Sequence, residues 1–205
     1  MYACTSIANF IPIFLCPSVC RARIDLAFVI DASGSVGRGN FRRCLAFVKN
    51  MARVFTISRS YTRFAIVLYS SRPSKIFGFN RYTNRPSLLR AIGRIRYTGG
   101  GTKTGYALRY AYQRVLRSSR RRNKVLIVMT DGRSYDDVLR PATGIRRRGI
   151  RILSLGVGKR YSMRQLLQMS ANRRNVFTAD FKNLASVVRI LKRRACAGRQ
   201  RIKLQ

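Results

Sequence analysis

Acidic and hydroxyl side chains in three short turns are the residues of this chain whose spacing could support chemistry. The first turn supplies Asp31, Ser33 and Ser35, the second supplies Thr102, and the third supplies Asp131. Two carboxylates joined by hydroxyl groups offer hard oxygen donors that carry few charges. Such a donor set suits Mg²⁺ or Mn²⁺ in octahedral geometry, with several waters retained.

The composition removes most catalytic alternatives. The chain has no His, and its six acidic residues are all Asp. The lack of histidine excludes histidine acid/base catalysis, Ser-His-Asp and Cys-His nucleophiles, and His-ligated zinc. The lack of glutamate excludes glycosidase sites built on a pair of glutamates. The glycine run at 99–105 lacks the spacing of a nucleotide-binding phosphate loop. We expect a binding protein and not an enzyme.

Alternating strand and helix patterns surround the three turns. Near-continuous apolar runs predict buried strands, and apolar residues recurring every three or four positions predict the helices between them. This alternation predicts an α/β fold: a doubly wound, mostly parallel, Rossmann-like sheet with one short antiparallel edge strand and helices on both faces. The strands are predicted at 24–30, 64–69, 74–79, 125–129, 150–155 and 176–178, and the helices at 41–55, 88–95, 107–116, 138–147, 164–169 and 184–191.

The predicted sheet brings the turns together. Ligands of doubly wound sheets bind beyond the carboxyl ends of the strands, where the strand order reverses. Asp31 follows the first predicted strand, and Asp131 follows the strand at 125–129. We therefore expect both carboxylates in one crevice at the edge of the sheet.

The turns and the segments around them resemble the von Willebrand factor type A domain. The similarity runs through Asp25–Asp31, Gly100–Gly105 and Val128–Gly132, and it continues in Ile152–Gly158 and Asn175–Thr178. It covers about residues 22 to 195 and is nearest to the extracellular A domains of matrilins and collagens. Five matching residues in three separated turns make the similarity specific.

The resemblance implies a metal-ion-dependent adhesion site (MIDAS). Ser33, Ser35 and Thr102 would coordinate the ion through their hydroxyls, and Asp31 and Asp131 directly or through water. An open coordination position would accept an acidic side chain from an extracellular matrix or cell-surface protein. The implied function is a secreted adhesion or matrix-assembly module. The positive field of the chain opposes cation binding but favours an acidic ligand.

The cysteines fit this family assignment. The resemblance implies a Cys20–Cys196 disulfide that closes a domain spanning 20–196 and places it in an oxidising compartment. Cys44 lies on the apolar face of a predicted helix and is expected to be a buried free thiol. Residues 1–19 are interpreted as a signal peptide or a disordered leader, and 197–205 as a basic tail. No segment is apolar and long enough to predict a membrane span.

Charge provides an alternative function. There are 43 Lys and Arg residues against 6 acids, for a formal net charge of +37. A metal-independent binder of sulfated glycosaminoglycans or other polyanions is therefore a second hypothesis. Alternatively, the arginine runs bind no partner and only place favourable positive charge at the ends of the predicted helices. The basic runs lack the interleaved aromatics of a nucleic-acid platform, so no specific nucleic acid is expected. The candidate residues for binding a sulfated glycosaminoglycan or another polyanion are Arg120, Arg121, Arg122, Arg146, Arg147 and Arg148.

Overall fold

The computed structural model describes residues 19–197, which form six strands and six α-helices. The predicted leader, apart from Val19, and the predicted basic tail, apart from Ala197, lie outside the described residues. The strands are β1 (Asp25–Asp31), β2 (Arg63–Tyr69), β3 (Pro73–Phe77), β4 (Lys124–Thr130), β5 (Arg151–Val157) and β6 (Val176–Ala179). The helices are α1 (Gly37–Arg53), α2 (Arg85–Gly93), α3 (Thr104–Ala111), α4 (Leu139–Arg147), α5 (Met163–Ser170) and α6 (Val188–Cys196).

The strands form one sheet in the order β3-β2-β1-β4-β5-β6. All neighbouring pairs are parallel except β2 and β3, which pair antiparallel at the edge. The predicted doubly wound sheet with one antiparallel edge strand is therefore confirmed. Two helices differ in detail from the prediction. A π-helical turn, Tyr112–Leu116, continues α3, and a 3₁₀ segment, Phe181–Val187, precedes α6.

Both faces of the sheet are covered, which explains the continuous apolar runs of its central strands. Leu26, Phe28 and Ile30 of β1 pack into a core that includes α1, α2 and α6. Ala27 and Val29 point the other way, into a core that includes α3, α4 and α5. Successive strand residues face opposite sides, so a strand buried on both sides must be apolar throughout.

The topology creates one crevice at the carboxyl end of the sheet. The chain moves from β1 outward to β3 on one side, and from β4 outward to β6 on the other. Strands β1 and β4 are neighbours, so the connections that leave their carboxyl ends diverge. Asp31 ends β1 and Asp131 directly follows β4. The predicted placement of these two residues at the switch in strand order is what the structure shows.

The cysteines of the described segment have separate roles. Cys20 and Cys196 are joined by a disulfide, with their Cα atoms 6.3 Å apart, so the segments before β1 and at the end of α6 are tied together. Cys44 is a buried free thiol on α1. Burial, followed by the charges of Asp31 and Asp131, raises the pKa of Cys44 to about 12. Within residues 19–197, no helix has the length and apolar character needed to cross a bilayer.

Candidate metal centre

Asp31 lies deep in the crevice, with 3% of its surface exposed. Its Oδ1 accepts a hydrogen bond of 2.9 Å from the Ser33 N–H. Its Oδ2 accepts hydrogen bonds from the hydroxyls of Tyr69, at 3.1 Å, and Thr130, at 2.9 Å. The Tyr69 hydroxyl also lies 3.0 Å from Thr104 Oγ1. Neutral donors from three different segments therefore fix the orientation of this carboxylate, and Thr104 contacts one of them, Tyr69.

The other residues of the first turn connect Asp31 to Asp131. The hydroxyl oxygens of Ser33 and Ser35 lie 3.1 Å apart. The Ser35 hydroxyl donates to Asp131 Oδ1 at 2.9 Å. Hydrogen bonds thus link Asp31, Ser33, Ser35 and Asp131 in sequence across the β1–β4 boundary, the first of them through the Ser33 N–H. Four of the five predicted ligands belong to this hydrogen-bonded series.

Backbone contacts bring Thr102, the fifth predicted ligand, to the same crevice. The Gly34 N–H donates to the Gly100 carbonyl at 2.7 Å, which joins the first and second turns. Gly100 has a backbone φ of +96°, a conformation that residues with a Cβ atom rarely adopt. The Tyr135 N–H donates to the Thr102 carbonyl at 3.0 Å, which joins the second and third turns. Thr102 and Ser35 line one cleft of about 450 Å³.

Gly105 makes the approach of the third turn possible. A Cβ atom at this position would lie 2.0 Å from the Asp137 carbonyl oxygen. Without that atom, Asp136 reaches the start of α3 and accepts hydrogen bonds from the N–H groups of Gly105, at 2.7 Å, and Tyr106, at 2.6 Å. A negative side chain at a helix N-terminus is favourable. This contact holds α3 and the preceding Thr102 against the loop after β4.

The electrostatics of the site fit a bound cation. Burial raises the pKa of Asp31. Burial, followed by the charge of Asp31, raises the pKa of Asp131 to about 6. Within residues 19–197, no Lys or Arg forms an ion pair with either carboxylate. Two buried carboxylates with neutral hydroxyl partners suit a hard divalent ion such as Mg²⁺ or Mn²⁺.

Cationic and aromatic residues surround the opening of the cleft. Arg133, Tyr135 and Arg160 line it together with Ser35 and Thr102. Tyr135 is 82% exposed, so its ring is available to a partner. The positive charge of Arg160 acts to lower the pKa of Asp131, although it does not outweigh burial. The opening is therefore positive and the interior negative.

The two predicted arginine runs are not uniformly available to a ligand. Arg121 turns inward, donates to the carbonyls of Arg59 and Tyr61, and lies 3.6 Å from Asp25 Oδ1. Arg146 donates to the carbonyls at the end of α5 and to the Thr143 hydroxyl. These two residues of the predicted polyanion set therefore hold parts of the fold together. The four that remain exposed are Arg120, Arg122, Arg147 and Arg148.

Sequence analysis missed the residues that support the carboxylates. Tyr69 was not expected at the site, and the sequence shows Thr104 and Thr130 only as members of the turns. The parallel register pairs Asp31 with Tyr69 across β1 and β2. A signal for Tyr69 was therefore present, since it is the last residue of the strand that neighbours β1. No local pattern marks Thr104 as a partner of Tyr69.

Comparison with models of known protein families identifies the family of this chain. A sequence model of the von Willebrand factor type A domain matches residues 25–190. The chain belongs to the von Willebrand factor type A domain family. The match encloses all five predicted metal ligands, which confirms the resemblance inferred from the three turns.

Several curated proteins contain a similar domain. Human vitrin is 38% identical over 178 residues, which is 84% of this chain and 26% of vitrin. Mouse cochlin is 35% identical over 187 residues, which is 89% of this chain and 34% of cochlin. This chain therefore spans about a quarter to a third of the length of these relatives.

Solved structures share the fold. Proximal thread matrix protein 1 from the mussel byssus superposes with a TM-score of 0.82 at 26% identity, over 87% of this chain and 47% of that one. A second structure of that protein, with a zinc-occupied MIDAS motif, has a TM-score of 0.81 at 27% identity over the same shares of the two chains. A fold of this kind has thus been observed with a metal at this motif.

Proposed function

We propose that this domain is an extracellular adhesion and matrix-assembly module that binds protein partners through a divalent metal ion. The ion is Mg²⁺ or Mn²⁺, held by Asp31, Ser33, Ser35, Thr102 and Asp131. One observation carries the proposal. In a chain with 43 basic residues, the only carboxylate pair at the switch in strand order is left without a cationic partner in the described segment.

Each residue has a defined part in the proposed site. When bound, the metal supplies a positive centre that a partner's carboxylate can share. Tyr69 and Thr130 orient Asp31 through its Oδ2 atom, and the Ser33 N–H holds Oδ1. Ser35 holds Asp131 in register. Because these donors are neutral, the negative charge of the carboxylates remains available to the ion.

The surroundings of the site favour an acidic partner. Arg133 and Arg160 line the opening, and the chain as a whole is strongly basic. Long-range attraction increases the encounter rate with a negatively charged surface. Tyr135 offers an exposed aromatic contact beside the metal. A partner with an acidic side chain flanked by apolar or further acidic groups fits this surface.

Two features support an extracellular location. The Cys20–Cys196 disulfide is the kind of bond that persists in oxidising compartments. The mussel protein that shares the fold is a matrix protein of the byssus. We propose that this domain is likewise secreted and acts as a binding module in a matrix, without enzymatic activity.

The test is metal-dependent capture from an extracellular matrix extract. The immobilised domain is incubated with the extract in Mg²⁺, and bound proteins are released with EDTA. The Asp31→Asn/Asp131→Asn variant should lose the EDTA-released proteins. The exposed Asp180→Asn substitution removes the same kind of charge outside the site and should retain them. Equal capture by the wild type in Mg²⁺ and in EDTA would refute the proposal.

A further inference from the structure

A second cleft lies at the amino end of the sheet, opposite the metal centre. Its volume is about 960 Å³. Its walls come from the loop that precedes β4, the turn that follows β3, and the segments where β1 and β2 begin. Asp25, at the start of β1, and Asp31, at its end, are separated by about 20 Å at the rise of a parallel strand. The two clefts are therefore independent surfaces.

An ion cluster forms the floor of this cleft. Asp25 is fully buried, and Arg63 donates to its Oδ1 atom at 2.7 Å. Arg121 lies 3.6 Å from the same carboxylate, and the Ser119 hydroxyl donates to it. The Arg63 guanidinium also bonds Asn80 Oδ1 at 2.8 Å. These contacts fix the loop before β4 and the turn after β3, so the cleft walls are held in place.

The walls carry a large excess of positive charge. Eight Lys and Arg residues line the cleft, and Asp25 is the single acid in contact with them in residues 19–197. Six of the eight are exposed, and none of these six forms an ion pair with a described acid. The six are Arg23, Lys75, Arg81, Arg114, Arg120 and Arg122.

The chemistry of the walls selects the type of polyanion. Five of the six exposed cations are Arg, whose planar donors match the oxygens of sulfate and phosphate groups in pairs. Asn80, Ser118 and Asn123 add neutral hydrogen-bonding groups. Among the described residues, Phe79 is the single aromatic of the lining, and it is buried beneath the Arg63 guanidinium. This part of the chain therefore gives the cleft no exposed ring on which a nucleic-acid base could stack.

We infer that this cleft is a binding site for a sulfated glycosaminoglycan, independent of the metal centre. Several exposed cations along an open cleft fit a chain that carries several sulfates, and a single small anion would satisfy few of them. The disulfide indicates an oxidising compartment, where sulfated glycans are the prevalent linear polyanions. The matrix could then hold the domain at one end of the sheet while the other end binds protein.

The test measures binding of a size-defined heparin oligosaccharide in EDTA at near-physiological salt. The cleft variant Arg114→Gln/Arg120→Gln/Arg122→Gln leaves Arg63, Arg121 and the ion cluster intact. The matched control Arg164→Gln/Arg173→Gln/Arg174→Gln removes three exposed charges outside the cleft. Thermal melts check that both variants fold like the wild type. A single-stranded DNA of similar length and charge serves as the competing polyanion.

The cleft variant should bind the oligosaccharide roughly tenfold more weakly or worse, and the slope of log Kd against log salt should fall by about three. The control variant should change affinity by less than about threefold, as expected for long-range screening alone. Equal losses in both variants would overturn the site, because the attraction would then be diffuse. Tighter binding of the DNA than of the oligosaccharide would overturn the assignment to a glycan.

Discussion

Strand β1 carries a buried aspartate at each end, and the two carboxylates have opposite surroundings. Asp25 opens the strand and contacts the guanidinium groups of Arg63 and Arg121. Asp31 closes it and, within the described segment, accepts hydrogen bonds only from hydroxyl and N–H groups, with Asp131 nearby. Both are almost completely buried. The two aspartates differ in the groups that contact their carboxylates and not in how deeply they are buried.

The partners decide what each carboxylate can do. A buried charge must be compensated, and at Asp25 two arginines provide that compensation within the chain. At Asp31 and Asp131 the neutral donors orient the carboxylates but leave their charge uncompensated, and the pKa of each is raised. The first arrangement is complete without a ligand and stabilises the fold. The second is suited to a cation from outside the chain.

Replacing Asp25 should have the largest effect on stability. The Asp25→Ala substitution leaves Arg63 and Arg121 without their buried partner, and such losses cost about 3–5 kcal/mol. Chemical denaturation in EDTA should show this decrease in the free energy of unfolding. Arg140→Ala, which breaks an exposed ion pair with Asp137, should change it by less than about 1 kcal/mol. Similar small values for both variants would contradict a stabilising role for Asp25.

Removing the disulfide should have the next largest effect. Cys20 precedes β1 and is joined to Cys196 across a separation of 176 residues. We expect the Cys20→Ser/Cys196→Ser variant to lose about 2–4 kcal/mol of unfolding free energy, because its unfolded chain is less constrained. The wild type measured in a reducing agent should match the variant. An unchanged denaturation midpoint would show that this end of the domain does not depend on the bridge.

Mg²⁺ or Mn²⁺ should stabilise the domain only by binding to the site at the carboxyl end of β1. A ligand that binds the folded state alone adds about 2.7 kcal/mol at a hundredfold excess over its Kd. Mg²⁺ or Mn²⁺ should therefore raise the Tm of the wild type at low salt, measured by calorimetry. The Asp131→Asn variant should lose this increase, whereas Asp180→Asn should keep it. If Mg²⁺ and Mn²⁺ both leave the wild-type Tm unchanged, the site does not bind these ions.

The smallest expected effect is a pH dependence of the metal-free domain. Folding raises the pKa of Asp131 from 3.8 to about 6, so the folded state binds a proton more tightly than the unfolded state. This contribution to stability is present below pH 4 and is lost as the pH rises through about 6. Denaturation in EDTA across this range should show the loss in the wild type and a weaker one in Asp131→Asn. A slope of opposite sign that Asp131→Asn abolishes would contradict the burial argument.

The fold and the meeting of Asp31 and Asp131 at one edge of the sheet could be predicted because their signals are local. Apolar runs such as Phe64–Tyr69 indicate strands from neighbouring residues alone, and the spacing of Asp31, Ser33 and Ser35 lies within one turn. The strand-end positions of Asp31 and Asp131 then follow from parallel topology. The π-helical turn at Tyr112–Leu116 and the 3₁₀ segment before α6 have no comparable local signature.

The amino-end cleft could not be predicted because it depends on long-range contacts. The sequence shows Arg120, Arg121 and Arg122 as an undivided run. Only the fold turns Arg121 toward Asp25 and the 59–61 loop while Arg120 and Arg122 remain exposed. A run of arginines in the sequence shows only that several positive charges are adjacent. The direction of each side chain is decided by residues about sixty to a hundred positions away.

The sequence by itself determined the kinds of group available to this protein: oxygen donors in three turns, no histidine or glutamate, and a large excess of cations. The tertiary structure decided which of the six aspartates receive those cations. Asp25 receives two because β2 and the loop before β4 bring Arg63 and Arg121 to the start of β1. Asp31 and Asp131 receive none in the described segment, because the elements that meet there supply Tyr69, Thr130 and Ser35 instead. The Coulomb energy of a charge pair falls with distance, and salt screens exposed charges beyond about 8–10 Å, so residue type sets the charge and three-dimensional proximity sets its role.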